Sequence, residues 1–163
     1  MHFIGIDPGF TGALAVIDNQ GEVVKLADTP TLTITAGRGK KTVYDIPGMA
    51  EILRQYRMIN TRAGIEEAQA MPGQGVTSTF STGLGLGVWL GILVAMDFPL
   101  TRVRPAEWKK SMKLGSDKEQ SRLRAQELFP KADLRLKKYH GRAEALLLAE
   151  WLRREWMGEK HDR

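Results

Sequence analysis

Residues 2–18 read HFIGIDPGFTGALAVID. A short apolar run climbs to Asp7, the chain turns at Pro8-Gly9, and a second apolar run follows. Short apolar runs bounded by Pro and Gly read as strands, here residues 2–7 and 12–18, joined as an antiparallel pair. Alternation along the first strand puts Phe3, Gly5 and Asp7 on one face and Ile4 and Ile6 on the other. Asp7 thus ends a strand on a face otherwise apolar or small. A carboxylate in such a place is costly unless it is paired or holds a cation. Its plainer role is to make the turn, because Asp-Pro-Gly is good turn chemistry.

Outward from this pair, a turn at Asp18-Asn19-Gln20-Gly21 leads to a third strand, EVVKLADT. ITAGRGKKTVYD is polar and basic, a hairpin tip or a loop. Ile46, Met49, Ala50, Ile52, Leu53 and Tyr56 fall at helical spacing, with Pro47 tolerated in the first turn. RAGIEE is a short strand ending at Glu66 and Glu67, and residues 69–82 form a Gly-, Ser- and Thr-rich loop. A helix of unusual composition, FSTGLGLGVWLGILVAM, precedes the strand PLTRVR and the short helix PAEWKKSM. Ser116-Asp117-Lys118-Glu119 matches a capping box and opens a helix that Pro130 stops. The last helix runs from about Gly141 to Trp156, before a polar tail at 158–163. The order βββαβαβ followed by helices predicts one α/β domain over 1–163: a mixed five-stranded sheet with helices on both faces.

Composition narrows the chemistry. The net charge of +5 favours a polyanionic partner. The chain has no cysteine, so a metal site must use carboxylates, histidine and water, the donors of hard ions such as Mg²⁺ or Mn²⁺. The apolar run Gly83 to Met96 falls short of the ~20 residues of a membrane span. No signal peptide is visible ahead of the first strand, and the expectation is a soluble cytoplasmic protein without a membrane partner.

Three acidic positions stand out. Asp7 ends the first strand. Either Glu66 or Glu67 ends the short strand, and because neighbours face opposite ways only one can share the site of Asp7; Glu66 is the choice. Glu144 lies in the apolar start of the last helix, one turn from His140. Clustered carboxylates repel unless a divalent cation neutralises them. Two such ions can activate water and stabilise the leaving oxygen of a phosphodiester.

IGIDPGFTGALAVID, IEEAQAMPGQGVTSTFSTGLGLGVWLGIL and HGRAEALLLAEWL, in this order and spacing, resemble RuvC-type Holliday junction resolvases, most nearly their phage-borne branch. The resemblance covers about residues 2–157. It implies a ribonuclease H-like fold and a homodimer without a nucleotide cofactor. It also implies Mg²⁺- or Mn²⁺-dependent nicking of two strands of a four-way DNA junction, with 5′-phosphate products, in recombination and repair; a phage-encoded copy would work in the host cytoplasm. Carried over, Asp7 and Glu66 occupy positions of metal-ligating acids. Glu144 sits where the family usually has an aspartate, and His140 sits near a position held by Asp or His. The four would serve as catalytic and metal-binding residues for two ions: Asp7 ligating both, Glu66 and Glu144 one each, and His140 ligating or orienting water. The family pair at the last helix is often three residues apart, whereas His140 and Glu144 are four apart.

The 69–82 loop is expected to enter the junction beside Glu66, with Met71 and Phe80 as apolar wedges and Gln74, Ser78 and Ser81 as polar contacts. Lys109, Lys110 and Lys113 form one basic patch, Lys118, Arg122 and Arg124 a second, and Arg38, Lys40 and Lys41 a third. Gly83, Gly87 and Gly91 make a smooth stripe suited to close packing, on the protein's own sheet or on a dimer partner. Two alternatives keep the same fold: a non-catalytic junction-binding protein, and a nuclease of other branched DNA or RNA–DNA hybrids. IGIDPGxTG also resembles the phosphate hairpin of actin-like ATPases, but this chain is short for two lobes and has no second phosphate loop.

Overall fold

The computed structural model describes residues 1–67, 69 and 73–158. Its strands are β1 (His2–Asp7), β2 (Ala13–Asp18), β3 (Val23–Asp28), β4 (Thr31–Ala36), β5 (Gly39–Tyr44), β6 (Thr61–Glu66) and β7 (Leu100–Val103). Its helices are α1 (Ile46–Arg54), α2 (Val76–Ala95), α3 (Pro105–Ser111), α4 (Lys118–Leu128) and α5 (His140–Met157), the last entered through a 3₁₀ turn at Lys137–Tyr139. Five strands form one sheet in the order β3-β2-β1-β6-β7. β1, β2 and β3 pair antiparallel, while β6 and β7 run parallel to β1.

The central strand is apolar on both faces because helices cover both. Phe3 packs with Ala13, Ala15 and Ile17 against α5, Trp108 of α3 and Phe129. Ile4 and Ile6 pack on the opposite side with Leu14, Val16, Met49 of α1 and Trp89 and Leu93 of α2. Gly5 lies on the α5 side, where a Cβ would collide with the backbone of Ala145 and Ala149. Its missing side chain lets α5 lie directly on β1, and Asp7 is the next residue on that face.

One open alternative is decided and other expectations change. The basic segment is a hairpin, β4 paired with β5, forming a two-stranded sheet of its own. Helix α2 begins at Val76, so Ser78, Phe80 and Ser81 are helical rather than in a loop. Its Ser and Thr hydroxyls bond carbonyls one turn back: Thr79 to Gly75 at 3.2 Å, Ser81 to Thr77 at 2.8 Å and Thr82 to Ser78 at 3.0 Å. With its polar first turns included, α2 is 20 residues long with a mean hydropathy of 1.5, long and apolar enough by those measures to cross a membrane. Gly85, Trp89 and Leu93 nonetheless seat it in the fold. The cap of α4 is Asp117 rather than Ser116, its Oδ1 accepting from the Glu119 amide at 2.9 Å. Of the polar tail, Gly158 closes α5 at φ 68° and the rest lies outside the described residues.

Candidate active site

β1 and β6 are parallel neighbours in register through Ile6 and Ile65, so Asp7 and Glu66 leave the sheet together at its carboxyl end. Two close approaches fix α5 above them. One is Gly5 against Ala145 and Ala149; the other is Gly141, where a Cβ would strike the Thr11 carbonyl and Gly12. Glu144 lies between these points, buried at 7% exposure. The chain thus brings Asp7, Glu66 and Glu144 together from two strands and a helix. Glu67 turns the other way, onto Arg102 at 3.3 Å and Arg104 at 3.7 Å.

The charges of the three acids act on one another. Burial pushes the Asp7 carboxyl from 3.8 up to about 7, with Glu144 and then Glu66 adding to the rise, against the Gly9 amide and Lys118. Burial and Glu144 also raise Glu66, opposed by Trp108, Lys109 and Lys118. Two groups serve the cluster directly. The Trp108 indole N–H donates to Glu66 Oε2 at 2.7 Å, and the Lys109 ammonium sits 2.7 Å from Glu144 Oε1. Sequence reasoning had no signal for the Trp108 contact, because 42 residues separate the partners.

The donor set is hard oxygen in excess negative charge, which suits Mg²⁺ or Mn²⁺. A cation, the Lys109 ammonium, already sits on Glu144. Among the described residues no three His, Cys, Asp or Glu side chains form a ready-made metal cage. His140 opens α5, and its Nδ1 is buried without a hydrogen-bond partner. Its charge acts on Glu119 of α4, whereas the charges acting on Asp7 are Glu144, Glu66 and Lys118.

The other candidates separate. Lys118, at the start of α4, is exposed and its field reaches both Asp7 and Glu66. Lys110 and Lys113 are exposed beside and beyond the end of α3. Lys109 is no surface cation; it is spent on Glu144. Arg122 is also removed from the DNA-facing set. It is 8% exposed, and its guanidinium is consumed by Glu119, Gln126 and the Leu134 carbonyl. Arg124 pairs with Glu127 at 2.9 Å. Gln74 donates to Ser78 Oγ at 3.2 Å, and Phe80 stands 69% exposed. Ser81 Oγ bonds within its helix, correcting its expected availability to phosphate. Met71 lies outside the described residues.

The glycine stripe is turned outward. A Cβ at Gly83, Gly87 or Gly91 would meet nothing within 4 Å. The packing glycine is Gly85, where a Cβ would strike the Tyr44 hydroxyl and the Pro8 carbonyl. Exposed Val76, Phe80, Leu84 and Val94 extend the stripe along α2.

A mixed sheet of this order, with acids at the ends of β1 and β6 and on the helix across them, is the ribonuclease H-like fold. The fold matches the structure of Thermus thermophilus RuvC in complex with Holliday junction substrate, at a TM-score of 0.64 and 19% identity over 97% of this chain and 96% of that one. A second Thermus thermophilus RuvC structure matches at a TM-score of 0.59 and 19% identity, over 97% of each chain. No protein-family model matches. In sequence, 91 residues, 53% of the chain, are 36% identical to the chloroplastic Holliday junction resolvase MOC1 of Chlamydomonas reinhardtii. The matched stretch spans 10% of that protein's length.

Proposed function

We propose that this protein is a structure-selective endonuclease that resolves four-way DNA junctions by paired nicks. The observation that carries the reading is the convergence of Asp7, Glu66 and Glu144 on a RuvC-like sheet, where burial and the neighbouring acids hold the Asp7 and Glu66 carboxyls above the usual carboxylate range. The resolvase named among its sequence relatives and the junction named with its structural neighbour support the same substrate.

Asp7, Glu66 and Glu144 would hold Mg²⁺ or Mn²⁺, two ions per site. The chemistry such ions supply is activation of water and neutralisation of charge on the leaving oxygen. The protein's own groups do the positioning. Trp108 fixes one oxygen of Glu66, leaving the other free to ligate. The Gly9 amide holds Asp7. Lys109 screens Glu144 until the site is loaded, and Lys118 offers a cation at the rim for the phosphate. His140, one turn from Glu144, would ligate a metal or orient water. Hydrolysis breaks the P–O3′ bond; the water oxygen ends on a 5′-phosphate and a proton reaches the 3′ oxygen.

The outward stripe of α2 is the surface for a second copy. Gly83, Gly87 and Gly91 allow close backbone approach, and Leu84 and Val94 supply apolar area. A two-fold dimer would present two such sites to a substrate with two equivalent strands. On this reading the protein is soluble and works in the cytoplasm, wherever recombining DNA is found.

The test is cleavage of a labelled synthetic junction beside a linear duplex and a fork, in Mg²⁺, Mn²⁺ or EDTA. Paired symmetric nicks on the junction alone, abolished by EDTA and by Asp7→Asn, are expected. Junction binding without cleavage in either metal would reduce the protein to a binding module; equal cleavage of the fork would make it a general branch nuclease.

A further inference from the structure

Most arginines among the described residues are already paired with acids. Arg54 pairs with Glu51, Arg57 with Asp97, and Arg102 and Arg104 with Glu67. Arg142 pairs with Asp28, and Arg154 with Glu150. The cations of the β4–β5 ribbon, like Lys110, Lys113 and Lys118, stand outside such pairs. Between Asp28 and Asp45 the sequence has no acid, three cations and five threonines. Residues 31–42 are exposed throughout, and Arg38, Lys40 and Lys41 make no ion pair among the described residues.

The register sorts the ribbon into two unlike faces. Thr31 stands opposite Tyr44, Thr33 opposite Thr42 and Thr35 opposite Lys40. These six side chains share one face, because alternate residues of a strand and directly paired residues point the same way. Leu32, Ile34, Val43 and Lys41 make the other. Beyond the buried Tyr44 at its base, the threonine face has short hydroxyls and one ammonium, and no apolar side chain of the kind a protein interface buries at its centre.

The base of that face is tied to the catalytic turn. Tyr44 is buried, stacks on Phe10 with ring centroids 4.2 Å apart, and donates to the Ser81 carbonyl at 3.0 Å. Its hydroxyl also lies 3.4 Å from the carbonyl of Pro8, the residue after Asp7. The Thr29 amide donates to the Gly12 carbonyl and ties the ribbon to the body, and the Asp45 amide donates to the Pro30 carbonyl and closes the ribbon's base. From this anchor six residues per strand extend about 20 Å at roughly 3.4 Å each. That is about six steps of a duplex, which advances about 3.4 Å per base pair. A face that starts at the rim of the acid cluster and carries hydroxyls and a cation outward has the chemistry of a phosphate track.

We propose that the threonine–lysine face of the β4–β5 ribbon binds the sugar–phosphate backbone of a duplex arm leaving the active site. The proposal rests on the reading above that the substrate is branched DNA. Lys40 contacts a phosphate directly, and Thr33, Thr35 and Thr42 supply hydroxyl donors along the strand. These contacts position the arm and carry no base preference.

The test compares two charge-matched variants on opposite faces, Lys40→Ala and Lys41→Ala, with the triple variant Thr33→Ala/Thr35→Ala/Lys40→Ala. Affinity for a labelled linear duplex and a labelled four-way junction is measured by anisotropy across a salt series, with melting curves for each protein. Lys40→Ala is expected to lower the slope of log affinity against log salt by about one, the signature of one lost phosphate contact. The triple variant should weaken binding several-fold further on both DNAs, while Lys41→Ala matches wild type. Equal losses from Lys40→Ala and Lys41→Ala would show that the ribbon contributes only net charge, and would overturn the assignment. So would wild-type binding by the triple variant, or a change in its oligomeric mass, which would assign the ribbon to another copy of the chain. Wild-type protein that binds junction no better than duplex would instead refute the junction reading, and the duplex series would still decide the ribbon.

Discussion

Replacing Asp7 by Asn should make the metal-free protein more stable, and the gain should depend on pH. In the fold Asp7 holds its proton up to about 7, against 3.8 for an ordinary aspartate. The unfolded chain releases that proton near 3.8, so between the two values the folded state binds more protons. Stability contributed by this position therefore falls as pH rises through that window, and the full cost is in place above about 7. At about 1.36 kcal/mol per pH unit the upper bound is about 4 kcal/mol. Water reaches part of the Asp7 side chain, and screening leaves about 2 kcal/mol as the working figure. Asn keeps the oxygen that accepts from Gly9 and removes the charge that Glu144 and Glu66 repel. For a domain of this size 2 kcal/mol is a rise in Tm of about 4–8 °C. The assay is thermal unfolding of wild type and Asp7→Asn in EDTA at pH 4 and pH 8. The variant should melt higher at pH 8 and level with wild type near pH 4. Adding Mg²⁺ or Mn²⁺ at pH 8 should close the gap by raising wild type alone. A variant that melts at or below wild type at pH 8 in EDTA would refute the claim that Asp7 is held against its own charge.

The remaining predictions concern the partners of the cluster and the helix beside it. Lys109 and Glu144 are 16% and 8% exposed in their side chains; removing one member of a buried pair costs about 3–5 kcal/mol. Lys109→Met should lose that much in urea unfolding without metal, and Lys109→Met/Glu144→Gln should recover most of it; simply additive losses would show the two are not coupled. Gly85→Ala puts a methyl into the Tyr44 hydroxyl and the Pro8 carbonyl and should destabilise by about 1–3 kcal/mol. Gly87→Ala meets open space and should stabilise the isolated chain by up to about 1 kcal/mol, while weakening any dimer built on that stripe; ultracentrifugation of the variant separates the two effects.

Much of this protein is local information. Pro8-Gly9, the alternation of Phe3, Gly5 and Asp7, and the apolar run around Glu144 mark strand, turn and helix within a few residues of the signal. Parity along a strand sends Asp7 to one face, and it sends Glu66 and Glu67 to opposite ones without saying which faces the site. The antiparallel run of the first three strands and the three acids were legible in this way, while the order of the strands in the sheet was not. What the chain order does not contain is who stands across from whom. Arg122 reads as a surface cation until its guanidinium meets Glu119 and the Leu134 carbonyl in the folded core. Lys109 reads as part of a basic patch until α3 lays it on Glu144. The glycine stripe reads as a close-packing face for either the sheet or a partner copy, and the fold turns it outward: the glycine that packs inside is Gly85, because Tyr44 from a distant hairpin arrives there. Sequence determined which residues could bear charge and which backbone could turn. Tertiary structure alone decided which charges are neutralised inside the protein and which stay free for a ligand, because burial and pairing depend on contacts between segments far apart in the chain.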